Sequence, residues 1–141
     1  MFKKIFKKRI KEVPDHKNVL VAALLIHAAK VDENYTDLEK KIIKKALVDL
    51  NNITEEQSEE LIKKAEKKEE EQNQIVGFTR EIKNYPMEFR LKIIEIIWKI
   101  IYSDGCSDSY ESNLIRRICG LLYISDVDNG IIKTKVKNLT K

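Results

Sequence analysis

Turn-forming residues are scarce in this chain, and their scarcity constrains the fold more than any other feature. Only four glycines and two prolines occur in 141 residues. An all-β protein needs such residues at most of its connections, whereas helices need them only at a few ends. Apolar residues recur instead at spacings of three and four, the period of an amphipathic helix. The pattern predicts an all-α, single-domain bundle of about seven to eight helices.

The distribution of charge separates a short N-terminal segment from the rest of the chain. The formal net charge is +4, but residues 1–12 hold six Lys and Arg against one Glu, so the remainder is close to neutral. A nucleic-acid-binding protein needs a basic stripe on its folded face, and the even alternation of Lys and Glu beyond residue 12 argues against one. We therefore predict one domain over residues 15–141 and no nucleic-acid partner.

Cysteine use and hydropathy point to a cytoplasmic protein. Cys106 and Cys119 form no metal-ligand spacing with His16 and His27, and two cysteines are too few for a disulfide scaffold. The longest apolar run, 19–26, has the length of a core helix and falls well short of the roughly 18 residues of a membrane span. The N-terminal segment also lacks the continuous apolar stretch of a signal peptide.

The basic N-terminal segment has the pattern of a short amphipathic helix that ends before Pro14. It has two interpretations. Its apolar residues can pack onto the body of the domain, or the segment can lie on an anionic membrane surface, where each Lys or Arg adds about 1 kcal/mol. In the second case the membrane-contacting residues are Phe2, Lys3, Lys4, Ile5, Phe6, Lys7, Lys8 and Arg9.

The helical pattern divides the body into segments that share a repeated loop. Helices are predicted over about residues 15–31, 36–50, 54–72, 78–83, 89–102, 108–122 and 125–137, with Gly77 as an interruption and the segment around Trp98 as the central helix. Asp32 and Glu39 enclose six residues, as do Asp104 and Glu111. The flanking apolar positions also align. We therefore predict two pseudo-symmetric halves, at about 15–72 and 86–137.

Helix capping explains part of each repeated loop. Thr36 with Glu39, and Asp108 with Glu111, have the three-residue spacing of a capping box, in which two side chains satisfy free N–H groups at the start of a helix. Capping alone requires no further function. On this interpretation the loops are structural, and the chain is a plain helical protein-interaction module.

Capping explains Asp32 and Asp104 less well. Both follow a buried helix, and the dipole at a helix C-terminus disfavours an anion by roughly 0.3–1 kcal/mol. Each carboxylate can accept N–H bonds from its own loop, or it can bind a hard divalent cation together with its neighbours. The candidate metal ligands are Asp32, Glu39, Asp104, Asp108 and Glu111.

Catalytic signatures are missing from the sequence. No nucleophile stands at a useful spacing from a base, and no glycine loop suits a phosphate, which argues against an enzyme and a small-molecule substrate. His27 lies on an apolar helix, where a packed, hydrogen-bonded histidine is commoner than a ligand. Glu95 lies among isoleucines, either buried as a pairing carboxylate or at a solvent-facing helix edge. An enzyme would need one of these two beside a second titratable group.

Several short motifs, in order, resemble the TerB-like family of tellurite-resistance proteins, in particular its compact stand-alone bacterial branch. The resemblance covers about residues 17–137. The motifs are Phe78-Thr79-Arg80, Glu88-Phe89-Arg90-Leu91, Trp98, Tyr102-Ser103-Asp104-Gly105, Asp108, Tyr110-Glu111, Leu114-Ile115-Arg116-Arg117 and Ile124-Ser125-Asp126.

The resemblance implies an all-α fold with internal pseudo-symmetry, no catalytic activity and acidic residues that chelate metal. It also implies work near the inner face of the bacterial membrane, alongside tellurite and chemical-stress systems and a protein partner. The same five acidic residues carry over as ligands. The first loop departs from the second, with Glu33 in place of Gly105 and Thr36 in place of Asp108. The expected function is a divalent-metal-binding adaptor.

Overall fold

The fold is described from a computed structural model, for residues 17–30, 35–51, 53–71, 75–103 and 109–139. Within these ranges the chain contains seven helices and no strand, which confirms the predicted all-α class. The N-terminal segment, residues 1–12, lies outside the described residues. The helices are α1 (17–29), α2 (Asp37–Asn51), α3 (Glu55–Glu71), α4 (Ile75–Ile82), α5 (Met87–Tyr102), α6 (Ser109–Leu121) and α7 (Asp126–Leu139).

Two helices form the centre of the bundle. In α1 every side chain over residues 20–26 is buried, and α5 buries apolar side chains on most of its circumference. A helix that is apolar all round can only be stable inside a protein, so α5 is central as predicted. Trp98 is buried within it, and its Nε1–H donates to Asn129 Oδ1 at 2.9 Å, which satisfies the indole's single polar group.

Helix α3 covers one side of this core, as its thin apolar stripe predicts. Its buried positions follow a single face of the helix, while the remaining surface is rich in Lys and Glu. Burial of this narrow stripe fixes which way the helix faces. The buried residues are Ser58, Leu61, Ile62, Ala65 and Glu69.

The prediction that Gly77 interrupts the chain before a helix at 78–83 is wrong. Helix α4 begins at Ile75 and contains Gly77. An interior glycine costs about 1 kcal/mol of helix stability relative to alanine. Burying Ile75 and Phe78 on the same face contributes roughly 1.5–3 kcal/mol each, so packing outweighs the local preference.

Helix α7 runs through Asn129 and Gly130 without a break. The hydroxyl of Ser125 caps its start by accepting the N–H of Asp128 at 3.1 Å. The Trp98 bond to Asn129 then ties its first turns to α5. These contacts hold a helix that the Asn-Gly pair alone would not favour.

A guanidinium connects two turns that are distant in sequence. Arg90 Nε donates to the carbonyl oxygen of Tyr85 at 2.8 Å, and its Nη1 donates to that of Leu122 at 2.6 Å. Leu122 immediately follows α6, at a helix end where backbone acceptors lack partners within the helix, and Tyr85 lies in the turn between α4 and α5. Arg90 thereby joins the α4–α5 turn to the α6–α7 turn.

Candidate functional site

Only part of the predicted metal-ligand set lies in the described chain. Glu39 is at the start of α2 and is 2% exposed. Glu111 lies in the first turn of α6, where the backbone alone is described. Asp32, Asp104 and Asp108 lie outside the described residues. The first acidic loop can therefore be assessed from its flanks, whereas the second remains a prediction.

Thr36 and Glu39 form the predicted capping box. Glu39 Oε1 accepts the backbone N–H of Thr36 at 2.9 Å and its hydroxyl at 3.1 Å, while the Thr36 hydroxyl oxygen accepts the N–H of Glu39 at 3.1 Å. The reciprocal bonds satisfy free N–H groups at the start of α2 and hold the Glu39 carboxylate inside the protein. The same residue is thus a cap and a buried carboxylate beside an acidic loop.

The hydroxyl of Tyr35 is the least satisfied polar group near this loop. Its oxygen is buried and has no hydrogen-bond partner in the part of the chain that the structure describes. A buried hydroxyl without a partner costs roughly 1–3 kcal/mol, so this group calls for an explanation such as a bound water, an ion or a residue of the adjacent loop. Tyr35 immediately follows residues 31–34, which include Asp32.

Three carboxylates lie near Tyr35, and two of them are paired, Glu69 with Lys30 at 2.8 Å and Glu66 with Lys40 at 3.4 Å. Burial raises the pKa of the Tyr35 hydroxyl, and the negative charges of Glu66, Glu39 and Glu69 raise it further. Carboxylates that oppose ionisation of a phenol produce a potential that favours a cation at the same place. One such cation is the ammonium of Lys30, which lies 6.0 Å from the centre of the Tyr35 ring.

A second buried carboxylate, Glu69 of α3, holds the end of α1. Its side chain is 7% exposed; Oε1 lies 3.2 Å from His27 Nδ1, and Oε2 accepts from Lys30 Nζ at 2.8 Å. A buried carboxylate requires such partners because an unpaired charge is costly away from water. His27 is therefore packed and hydrogen-bonded, as predicted from its place on an apolar helix.

Sequence reasoning did not identify Glu66 and Glu69 as part of this region. The signal was present, since Glu69 lies four residues after the buried Ala65 and Glu66 four after the buried Ile62. A carboxylate that continues an apolar stripe faces the protein interior. Their positions on the inner face of α3 could thus have been predicted, although their partners on α1 and α2 could not.

Glu95 is a paired carboxylate at the edge of α5. Its side chain is partly exposed and accepts from Lys135 Nζ of α7 at 2.6 Å, with Lys99 Nζ at 3.9 Å. Of the two interpretations, the solvent-facing edge is nearer to the observed position. The contact with Lys135 forms part of the packing between α5 and α7.

The carboxylates near Tyr35 do not complete a metal site by themselves. Within the described ranges, no group of three or more His, Cys, Asp or Glu side chains has an arrangement that could hold a metal ion. A site at this loop would need a carboxylate or carbonyl from residues 31–34 in addition to Glu39.

The chain matches a known protein family over most of its length. The model of the family described as tellurite resistance protein TerB matches residues 18–134, from the start of α1 to within α7. The chain belongs to the TerB family. The match to TerB includes both acidic loops, and residues 1–12 precede it. Neither the curated proteins nor the solved structures contain a match to the chain.

Among the residues described, no helix has both the length and the apolar character that crossing a bilayer requires.

Proposed function

We propose that this TerB-family chain is a non-catalytic adaptor that binds a divalent cation at its acidic loops and thereby changes a protein-binding surface. The ligands would be Asp32 and Glu39 in the first loop and Asp104, Asp108 and Glu111 in the second. Carboxylate oxygens suit hard cations, which supply charge and coordination rather than redox chemistry. A bound ion would draw the end of one helix and the start of the next together.

The observation that carries this proposal is the Tyr35 hydroxyl. It is buried and lacks a hydrogen-bond partner among the described residues. It also lies in the negative potential of Glu66, Glu39 and Glu69, beside the segment that contains Asp32. An unsatisfied buried hydroxyl next to the segment with Asp32, together with the buried Glu39 carboxylate, supports a polar partner at this loop, and Glu39 supplies an oxygen that suits a hard cation.

Titration calorimetry with Ca²⁺, Mg²⁺, Mn²⁺ and Zn²⁺ is the direct test. We expect heat from at least one cation in the natural chain. Asp32→Asn combined with Asp104→Asn should abolish that heat while leaving the helical circular dichroism signal unchanged. Heat that persists in the double variant would exclude these loops as the site.

Glu39→Gln separates metal binding from capping. The chain contains a precedent for a Thr-Gln box, because Thr54 N–H donates to Gln57 Oε1 at 2.9 Å and Gln57 N–H donates to the Thr54 hydroxyl at 3.1 Å. The glutamine should therefore keep the reciprocal capping bonds with Thr36 and leave the helical circular dichroism signal unchanged. Loss of the negative charge of Glu39 should lower the affinity for the cation by about tenfold or more. Equal cation affinity in both proteins would remove Glu39 from the ligand set.

The alternative function is a helical protein-interaction module whose acidic loops only cap helices. The reciprocal bonds between Thr36 and Glu39 favour it, because they account for that carboxylate without any ion. The absence of heat with all four cations, in the natural chain, would select this alternative.

The N-terminal segment would supply reversible contact with the inner membrane surface of an otherwise cytoplasmic protein. Its net positive charge and alternating apolar residues support this part of the proposal. Flotation with anionic liposomes should recover the full chain and lose it when residues 1–12 are deleted. Equal recovery of both proteins would exclude the segment as the contact.

Membership of a tellurite-resistance family supports a role in the bacterial response to metal or chemical stress. In a bacterial host lacking the protein, the natural chain should restore growth on tellurite or on excess divalent metal, and the Asp32→Asn, Asp104→Asn variant should not. If the natural chain and the variant restored growth equally, the role in the stress response would not depend on cation binding.

A further inference from the structure

An apolar groove runs along the bundle between α2 and α5. Its volume is about 630 Å³. From Leu38 to Leu50 the α2 side of the groove extends about 18 Å, at 1.5 Å per residue, which is the length of three helical turns. Leu38, which lines this groove, is 52% exposed, so part of the apolar lining is open to solvent. The apolar floor consists of Leu38, Ile42, Ala46, Leu50 and Ile96.

The rim of this groove is positively charged. Lys45 of α2 and Lys92 and Lys99 of α5 border it. One of the two acidic residues in the lining, Glu95, is already bound to Lys135 outside the groove, at 2.6 Å. With Glu95 offset by Lys135, the rim carries a net positive charge, and Asp49 is the lining carboxylate that forms no ion pair among the described residues.

Lys45 and Lys92 are the rim lysines that remain available to a partner. Within the described part of the chain, Lys45, Lys92 and Asp49 form no ion pair, and Lys99 reaches Glu95 only at 3.9 Å. An apolar floor of helical length between basic edges is the complement of an amphipathic helix with acidic flanks.

Two residues of the groove lining adjoin the acidic loops in sequence. Leu38 follows the first loop and precedes Glu39, and Ser103 immediately precedes Asp104. A change of backbone at either loop would therefore be passed directly to a residue of the groove. This placement connects the groove to the adaptor role.

The geometry points to the α2–α5 groove as the docking site for a partner protein's amphipathic helix, with apolar residues on one face and Asp or Glu on its flanks. The inference rests on the adaptor role proposed above and specifies the chemistry of its partner. Apolar contacts with the floor supply affinity, and the lysines select the charge of the partner and its orientation.

Charge argues against two other occupants. The chain's own N-terminal segment is strongly basic and would place its lysines against those of the rim. A second copy bound through the same groove would bring two sets of rim lysines together, since a symmetric dimer pairs identical surfaces. Both arrangements are repulsive.

Fluorescence anisotropy with two synthetic helices tests the inference on the full chain. Both peptides are about 16 residues long with leucines at a three-four spacing; one carries Glu on its flanks and the other carries Lys at the same positions. We expect the acidic peptide to bind at least about tenfold more tightly than the basic one, with the difference shrinking as salt is raised. Equal binding, or no binding of the acidic peptide at about 1 mM, would overturn the inference.

Three variants locate the binding site. Leu38→Glu should weaken binding of the acidic peptide by about tenfold or more, whereas Val127→Glu, at a 72% exposed position on α7 that does not line this groove, should not. Lys45→Glu with Lys92→Glu should reverse the preference, so that the basic peptide binds better. An equal effect of the two single variants, or an unchanged preference in the double variant, would contradict the assignment.

Light scattering and a truncation examine the rival occupants. A dimer that Leu38→Glu dissociates would assign the groove to self-association and overturn the inference. An affinity for the acidic peptide that rises tenfold when residues 1–12 are deleted would assign it to the chain's own segment. Because no cation is added in these experiments, they can succeed where the metal titration fails, and the converse also holds.

Discussion

Replacement of Tyr123 by glycine should remove a local strain from the α6–α7 connection. Tyr123 is the single non-glycine residue with positive φ in the described chain, at 57°. The Tyr123 N–H bonds to the Gly120 carbonyl at 3.3 Å and the Ile124 N–H to that of Cys119 at 2.9 Å. This pattern is the Schellman motif that ends many helices, and its left-handed position usually holds glycine.

The magnitude follows from three contributions. Left-handed backbone costs an L-residue roughly 1–2 kcal/mol, and the larger conformational freedom of unfolded glycine offsets about 0.5–1 kcal/mol of the relief. The Tyr123 ring is 66% exposed, and its contact with Lys83 Nζ, 5.8 Å from the ring centre, contributes about 0.5 kcal/mol. Tyr123→Gly should therefore be about 1 kcal/mol more stable than Tyr123→Ala and about 0.5 kcal/mol more stable than the natural chain.

Thermal unfolding followed by circular dichroism measures this difference. The alanine variant is the matched control because it loses the ring but keeps the strain. For a domain of this size the expected separation between the two variants is about 3 °C in Tm. A glycine variant that melts at or below the alanine variant would refute the assignment of strain to Tyr123.

Three further predictions concern contacts described above. Thr36→Ala removes the hydroxyl that caps α2 and should lower the unfolding free energy in urea by about 1 kcal/mol; an unchanged midpoint would show that the capping box is not stabilising. Burial, with a smaller contribution from Asp126, raises the pKa of Cys119 to about 12, so in a Cys106→Ser background the folded protein should react with a thiol reagent at pH 8 roughly a thousandfold more slowly than free cysteine. Rapid labelling before unfolding would contradict its burial. Trp98→Phe loses the indole bond to Asn129 at 2.9 Å and should cost about 2 kcal/mol in urea unfolding, whereas a loss below about 0.5 kcal/mol would indicate that the bond is dispensable.

The candidate site was only partly predictable from the sequence. The spacing of Thr36 and Glu39 identified a capping box, because the partners of a cap lie within one turn. The same spacing could not show that Glu39 is buried or that the Tyr35 hydroxyl beside it lacks a partner in the described chain. Both properties depend on how the helices pack, as does the effect of Glu66 and Glu69 of α3 on the pKa of Tyr35.

The sequence by itself determined the helices and their inward faces. Periods of three and four residues placed α2, α3, α5 and α6 within a few positions of their observed ends, and the isoleucines around Trp98 identified the central helix. These features are local, since they depend on side chains that are neighbours along one helix.

Only the tertiary structure decided how those faces meet. Packing kept Gly77 inside α4 against its own preference, brought Glu69 to His27 and Lys30, and formed the α2–α5 groove. The interacting residues are tens of positions apart, so their contacts depend on the angles and distances at which whole helices pack. Many combinations of side-chain ridges and grooves satisfy the same hydrophobic pattern, and the pattern alone does not distinguish among them.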